Sequence, residues 1–212
     1  MITISAFKSI PPFARGIARD LRVRWACEEA GLPYEVKLIE RSELASDDYH
    51  ALQPFGQVPV FQEDGLTLFE SGAIVLYIGA RSEVLLPKDP AARARATAWL
   101  FAALNSIETV AQRLFELDVF FAGQGWVSEH RPHLEERMRK RLKELAKALG
   151  DKPYLDGRFT AGDLMMATVL RILRVTDLVA GEPALAAYLA RCEARPAFQR
   201  ALAAHMGDFE TQ

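Results

Sequence analysis

All of the strand-like patterning in this chain lies before residue 70, and none follows it. Segment 2–7 alternates with period two and is rich in β-branched residues, which marks a strand. Segments 34–39, 58–62 and 66–69 read as three more short strands. The last two are joined by the turn Glu63-Asp64-Gly65. Between the first two strands, Leu21, Val23, Trp25, Ala26 and Ala30 fall at helical spacings over 20–30, and Gly31 with Pro33 stops that helix. Segment 41–53 is polar and offers one weak helical turn. Apolar helical spacing resumes over 72–79 through Ile74, Val75, Tyr77 and Ile78. The order is a βαβ unit followed by a ββα unit.

Segment 82–90 reads as a linker, with Pro87 and Pro90 around the charged pair Lys88 and Asp89. Beyond it only helical periodicity remains: 91–122, 129–149, 161–180, 183–195 and 196–206, the last two opened by prolines at the first turn. The expected architecture is a small α/β domain over 1–81, the linker, and an all-α domain over 91–212.

Composition narrows the function classes. Lys plus Arg is 26 and Asp plus Glu is 28, a net charge of −2. Bulk electrostatics thus give no reason to expect a nucleic acid or an anionic membrane as partner. No apolar run approaches the ~18 residues of a membrane span, and the start of the chain does not read as a signal peptide. Cys27 and Cys192 lie far apart with no CxxC spacing, which fits a reducing cytoplasm. Cys27 sits among apolar neighbours and reads as buried and inert. His50, His130, His133 and His205 form no metal-ligand spacing, so no metal is expected, and all four read as surface residues. Segment 137–143 is a charge run, but Leu134, Met138, Leu142 and Leu145 make it the solvated face of a helix. Trp99, Phe101, Phe115, Phe120, Phe121 and Trp126 read mainly as packing, with some lining an apolar pocket.

Three motifs carry possible chemistry. In Phe55-Gly-Gln-Val-Pro-Val-Phe61, Pro59 cannot donate to a β ladder. It sits either at an edge or after a cis bond, a form taken by about 5–6% of X-Pro bonds. A cis bond would turn the Val58 N–H and C=O outward, towards an extended peptide. In Phe69-Glu-Ser-Gly-Ala73, Ser71 stands where a strand passes into a helix. It either caps that helix or shares its hydroxyl with a carboxylate held at the helix N-terminus. Thr160-Ala-Gly-Asp163 has the layout of a capping box, with Phe159 and Leu164 placed as a hydrophobic staple.

The ordered set Gly56-Gln57-Val58-Pro59, Asp64-Gly65 and Glu70-Ser71, with Arg22-Val-Arg-Trp-Ala-Cys-Glu-Glu-Ala-Gly-Leu-Pro-Tyr34, resembles the bacterial-type cytosolic glutathione transferase family over nearly the whole chain. The resemblance implies a thioredoxin-like N-terminal domain, an all-α C-terminal domain and a homodimer, with Phe55 where some members insert an aromatic into their partner. It implies glutathione as co-substrate, a hydrophobic electrophilic or disulfide second substrate, and a role in detoxification. By this likeness Val58 pairs with the cysteinyl part of glutathione, and Pro59 is the cis-proline. Glu70 meets the γ-glutamyl ammonium, Ser71 its carboxylate, and Gln57 and Arg41 the glycyl end.

The family lowers the thiol's pKa, ordinarily about 8.5, with a donor just before the first helix. Here that slot falls on Gly16-Ile17-Ala18, none of which has a donating side chain. Ser9, Arg15 and Arg19 are the candidate thiolate stabilisers, with a backbone N–H as the alternative. The leading expectation is an enzyme that activates glutathione for attack on an electrophile or peroxide. The rivals are a glutathione-dependent disulfide reductase and a non-catalytic glutathione-binding module.

Overall fold

The computed structural model describes residues 1–209. By internal contact it comprises two compact units: Met1–Pro87 together with the chain from Arg195 onward, and Lys88–Ala194.

In the first unit, β1 (Ile2–Phe7) pairs in parallel with β2 (Tyr34–Ile39), and α1 (Asp20–Ala30) makes the crossover between them. After α2 (Asp47–Leu52), β3 (Phe61–Glu63) pairs antiparallel with β1, and β4 (Leu66–Leu68) antiparallel with β3. The sheet order is β2-β1-β3-β4. α3 (Ser71–Gly79) follows β4. Segment 41–53 is more ordered than its polarity suggests. A 3-10 turn over Arg41–Ala45 is capped reciprocally by Glu40 and Glu43, and Ser46 caps α2. The third strand begins at Phe61 instead of residue 58, because the Gln57 carbonyl and Val60 N–H bond to the Tyr49 and Ser5 side chains and not to a neighbouring strand.

α1 is buried along almost its whole length, from Asp20 to Cys27, because it packs against β1, α3 and the distant α9 (Pro196–Gly207). Trp25 meets the Phe198 ring edge-on at 4.8 Å. Arg195 grips Glu29 with two nitrogens, at 2.6 and 2.7 Å. By these contacts α9 groups with the α/β unit, whereas its sequence position after the linker suggested the helical domain.

The second unit holds α4 (Pro90–Ala102), α5 (Thr109–Val119), α6 (Val127–Leu149), α7 (Ala161–Leu170) and α8 (Pro183–Glu193). The helix expected over 91–122 is continuous to Val119 but passes through a π-helical segment, Ala103–Glu108. The helix expected over 161–180 ends at Leu170 and tightens into a 3-10 turn at Arg171–Leu173. Every residue of α7 is buried. A methyl group on Gly162 would stand 2.6 Å from Trp99 Cβ, so α4 and α7 approach closely only because this residue is glycine. The α7 capping box forms as the sequence suggests: Asp163 accepts from Thr160 N–H at 2.9 Å, Leu155 N–H at 2.9 Å and Tyr188 O–H at 3.0 Å. Burial pushes the Asp163 carboxyl up, against these hydrogen bonds. The aromatics expected to be packed are partly outside: Phe101, Phe120, Phe121 and Trp126 are all exposed, and none of the six is fully buried. They lie at the helix surface and at the α5–α6 turn, where few neighbours cover them.

Among the described residues no helix is long and apolar enough to cross a membrane, and no group of three or more His, Cys, Asp or Glu is placed to hold a metal.

Candidate functional site

Strand directions bring most of the candidate residues to one end of the sheet. β1 and β2 are parallel, so the loops after Phe7 and after Ile39 leave from the same end. β3 runs antiparallel to β1, with Ile4 opposite Phe61, so segment 57–60 enters there. β4 closes back with Leu68 opposite Phe61, so Phe69, Glu70 and Ser71 emerge there as well. α1 and α3 start from this end and direct the positive ends of their dipoles towards it. It is also the carboxyl end of the parallel strands, where open α/β sheets bind ligands.

A directed chain of hydrogen bonds shapes the proline loop. Val60 N–H donates to Ser5 Oγ at 2.7 Å, and Tyr49 Oη donates to the Gln57 carbonyl at 2.8 Å. Ser5 and Tyr49 hydroxyls are 3.1 Å apart, so the Ser5 proton must run to Tyr49. Ser5 N–H returns to the Val60 carbonyl at 2.8 Å. Residues 57 and 60 are thereby fixed. Gly56 turns the chain just before them at φ +59°, where a Cβ would lie 2.8 Å from the Leu44 carbonyl. The Val58–Pro59 bond is cis. Between the two clamps, the Val58 N–H and C=O make no hydrogen bond among the described residues. An unpaired backbone donor and acceptor on one buried residue is unusual and suits pairing with an extended ligand.

The second half of the site opens α3. Glu70 precedes it at φ +68°, a strained conformation for a residue with a Cβ. The buried Arg22 of α1 donates to Ser71 Oγ at 3.2 Å. With Arg22 donating to its oxygen, the Ser71 hydroxyl still has its own proton to give. That proton, the helix N-terminus and the nearby guanidinium all favour a carboxylate. Glu70 and Gln57 are exposed, and so is Arg41, whose guanidinium lies 5.3 Å over the Phe7 ring at the end of β1.

The loop after β1 separates the three thiolate candidates. Ser9 is exposed, and Arg19 is exposed at the N-cap of α1. Arg15 follows a 3-10 turn at Pro12–Ala14, and its guanidinium lies 5.3 Å over the Phe209 ring. Its Nε is buried and has no hydrogen-bond partner among the described residues. The backbone alternative is largely taken: Gly16 N–H donates to His205 Nε2 at 3.0 Å, and Ile17 N–H to the Ala14 carbonyl at 3.2 Å.

His205 corrects the expectation of a surface histidine. It is buried, with Nδ1 2.9 Å from Asp20 Oδ2. Its place on the stripe Phe198, Ala201, His205 is a sequence signal for burial, because these positions recur on one helical face. Its partners, far away in the chain, leave no such signal. Burial alone would raise the Asp20 carboxyl, but the hydrogen bond from His205 and the charge and hydrogen bond of Arg24 outweigh it and hold the carboxyl below the usual range. Cys27 is buried as expected, and burial pushes its thiol to about 12, which leaves it unreactive at neutral pH.

The mixed sheet and its proline loop define a thioredoxin-like unit, followed in the chain by a helical one. The sequence matches the glutathione S-transferase N-terminal domain over residues 14–80 and the glutathione S-transferase C-terminal domain over 128–191. A glutathione S-transferase of Hyoscyamus muticus is 31% identical over 198 residues, covering 86% of this chain and 92% of the relative. The glutathione S-transferase GstA of Escherichia coli O157:H7 is 29% identical, covering 91% and 95%. The chain belongs to the glutathione S-transferase family. Among solved structures, glutathione transferase F7 of Populus trichocarpa superposes with a TM-score of 0.83 at 22% identity, covering 97% of this chain and 99% of that one. A Pseudomonas fluorescens family member, crystallised with two glutathione molecules bound, superposes with a TM-score of 0.81 at 23% identity, covering 95% and 92%.

Proposed function

We propose that this chain binds glutathione across the common end of its sheet and activates the thiol for attack on an apolar electrophile or a peroxide. The observation that carries the reading is that Val58 N–H and C=O, between the clamped residues 57 and 60, make no hydrogen bond among the described residues. The cysteinyl part of glutathione pairs there. The γ-glutamyl carboxylate lies against Ser71 and the start of α3, with Glu70 facing the ammonium. Gln57 and Arg41 meet the glycyl end. Arg15 is the thiolate stabiliser, because its buried Nε is a cationic donor with no hydrogen-bond partner among the described residues, whereas Ser9 and Arg19 are exposed. The protein works as a homodimer in a reducing cytoplasm, in keeping with two buried cysteines, neither of them in a disulfide.

A second reading, a glutathione-dependent disulfide reductase, is favoured by one observation: no side-chain donor occupies positions 16–18, and the N–H groups of Gly16 and Ile17 are already bonded. Such an enzyme needs less stabilisation of the thiolate.

Isothermal titration of glutathione into the wild type and Ser71→Ala tests the reading. The wild type binds, and loss of the hydroxyl weakens binding about tenfold or more, as expected when a charged partner loses a buried donor. No heat at millimolar glutathione would leave the fold standing and sink the enzyme.

A further inference from the structure

The loop that carries Arg15 is tied to a residue nearly two hundred positions away. The Gly16 amide can only donate, so His205 Nε2, 3.0 Å from it, must accept. The imidazole proton then sits on Nδ1 and is donated to Asp20 Oδ2 at 2.9 Å. Asp20 Oδ2 also accepts from Arg24 Nε at 2.9 Å, and Arg24 Nη2 pairs with Asp208. Asp20 and Arg24 of α1, with Asp208 just after α9, thus fix one tautomer of the ring, and its Nε2 lone pair holds one backbone amide. That amide belongs to the turn at Gly16, φ +77°, directly after Arg15. Phe209 extends the same arrangement, since its ring lies 5.2 Å from that of His205 and beneath the Arg15 guanidinium at 5.3 Å.

We propose that His205 is a positioning residue, which sets the Gly16 turn through its Nε2 and so aims Arg15 at the glutathione thiol. The inference rests on the glutathione reading above and assigns a remote residue to the same site. His205 touches no substrate; it acts through the loop.

Two isosteric variants of the full chain separate its nitrogens. In His205→Gln the side-chain oxygen can stand where Nε2 stands and still accept from Gly16. In His205→Asn the amide nitrogen can replace Nδ1 towards Asp20, but nothing faces Gly16. Three readouts are taken on each: amide hydrogen exchange at Gly16 without ligand, the pH titration of bound glutathione by thiolate absorbance, and the thermal midpoint. His205→Asn is expected to speed Gly16 exchange about tenfold or more and to raise the bound thiol's pKa by about one unit, about tenfold less thiolate at neutral pH. His205→Gln is expected to keep both near wild type even if its midpoint falls. Faster exchange in His205→Asn with an unmoved thiol would reduce His205 to a structural tie and overturn the proposal. Unchanged exchange in both variants would overturn it as well. If His205→Asn does not fold, His205→Gln still decides, because a raised thiol pKa with Gly16 protected contradicts the assigned route. Failure of wild type to bind glutathione would defeat the site reading and this proposal together, and it is seen before any variant is made.

Discussion

Arg15 and Ser9 leave the same strand, yet their surroundings give them different chemistry. A hydroxyl in water loses little by staying there, and it offers a thiolate no more than water does. A guanidinium whose Nε is buried with no hydrogen-bond partner among the described residues has already lost hydration on that nitrogen and gains by meeting an anion. Arg15→Met is therefore expected to leave glutathione affinity within about threefold and to raise the bound thiol's pKa by about one to two units, the range for removing a nearby opposite charge. Ultraviolet titration of the complex reads this directly, and an unmoved thiol would pass the role to another group. The cis-proline loop and the start of α3 were legible in the sequence because their residue types are restrictive: a proline inside a strand-like run, and a serine at a helix start. The three thiolate candidates could not be ranked from the sequence, since Ser9, Arg15 and Arg19 differ in burial and partners, which folding decides.

At the scale of elements, the tie between α1 and α9 converts a buried charge cluster into pH dependence. Asp20 has its carboxyl held below the ordinary 3.8 by hydrogen bonds and charge that outweigh its burial. A carboxylate with a lowered folded pKa contributes stability that is fully present above the unfolded value and is lost as pH falls through the folded one. Asp20→Asn should cost about 3 kcal/mol at neutral pH, because it leaves Arg24 and His205 poorly matched in the interior. Urea midpoints of the two proteins should converge as pH falls below about 4. A gap that persists unchanged to low pH would show that Asp20 acts by shape alone. β1, α1, β2 and the hairpin could be read from period and punctuation, because Gly31, Pro33, Asp64 and Gly65 stop the chain where local energetics demand it. The π segment at Ala103–Glu108 and the early end of α7 could not, because the apolar pattern runs on through both while neighbouring helices dictate the change of pitch.

For the whole molecule, one division between units falls at Pro87, inside the segment 82–90 read as a linker, while the return of the chain at Arg195 to the first unit carried no composition shift. Contacts between residues far apart in the chain reveal it, among them Glu29 with Arg195, Trp25 with Phe198 and Asp20 with His205. On the outside of that unit, Phe55 is 65% exposed and stacks edge-on with Phe69 at 6.2 Å. Two neighbouring bare aromatics on a surface suit a protein interface. Sedimentation should find wild type as a two-chain species and Phe55→Ala shifted towards single chains. An unchanged dimer would remove Phe55 from the contact.

Because α9 completes the packing around α1, segment 88–194 is in effect an insertion within the α/β unit. On the ribosome, β1 to α3 emerge early, with α1 bare on the side that Phe198 will cover and Asp20 without its histidine. The α/β unit therefore cannot mature as its own strands appear. It waits as an incomplete nascent intermediate until the entire inserted segment has been translated, and in that interval it is the natural client of a chaperone.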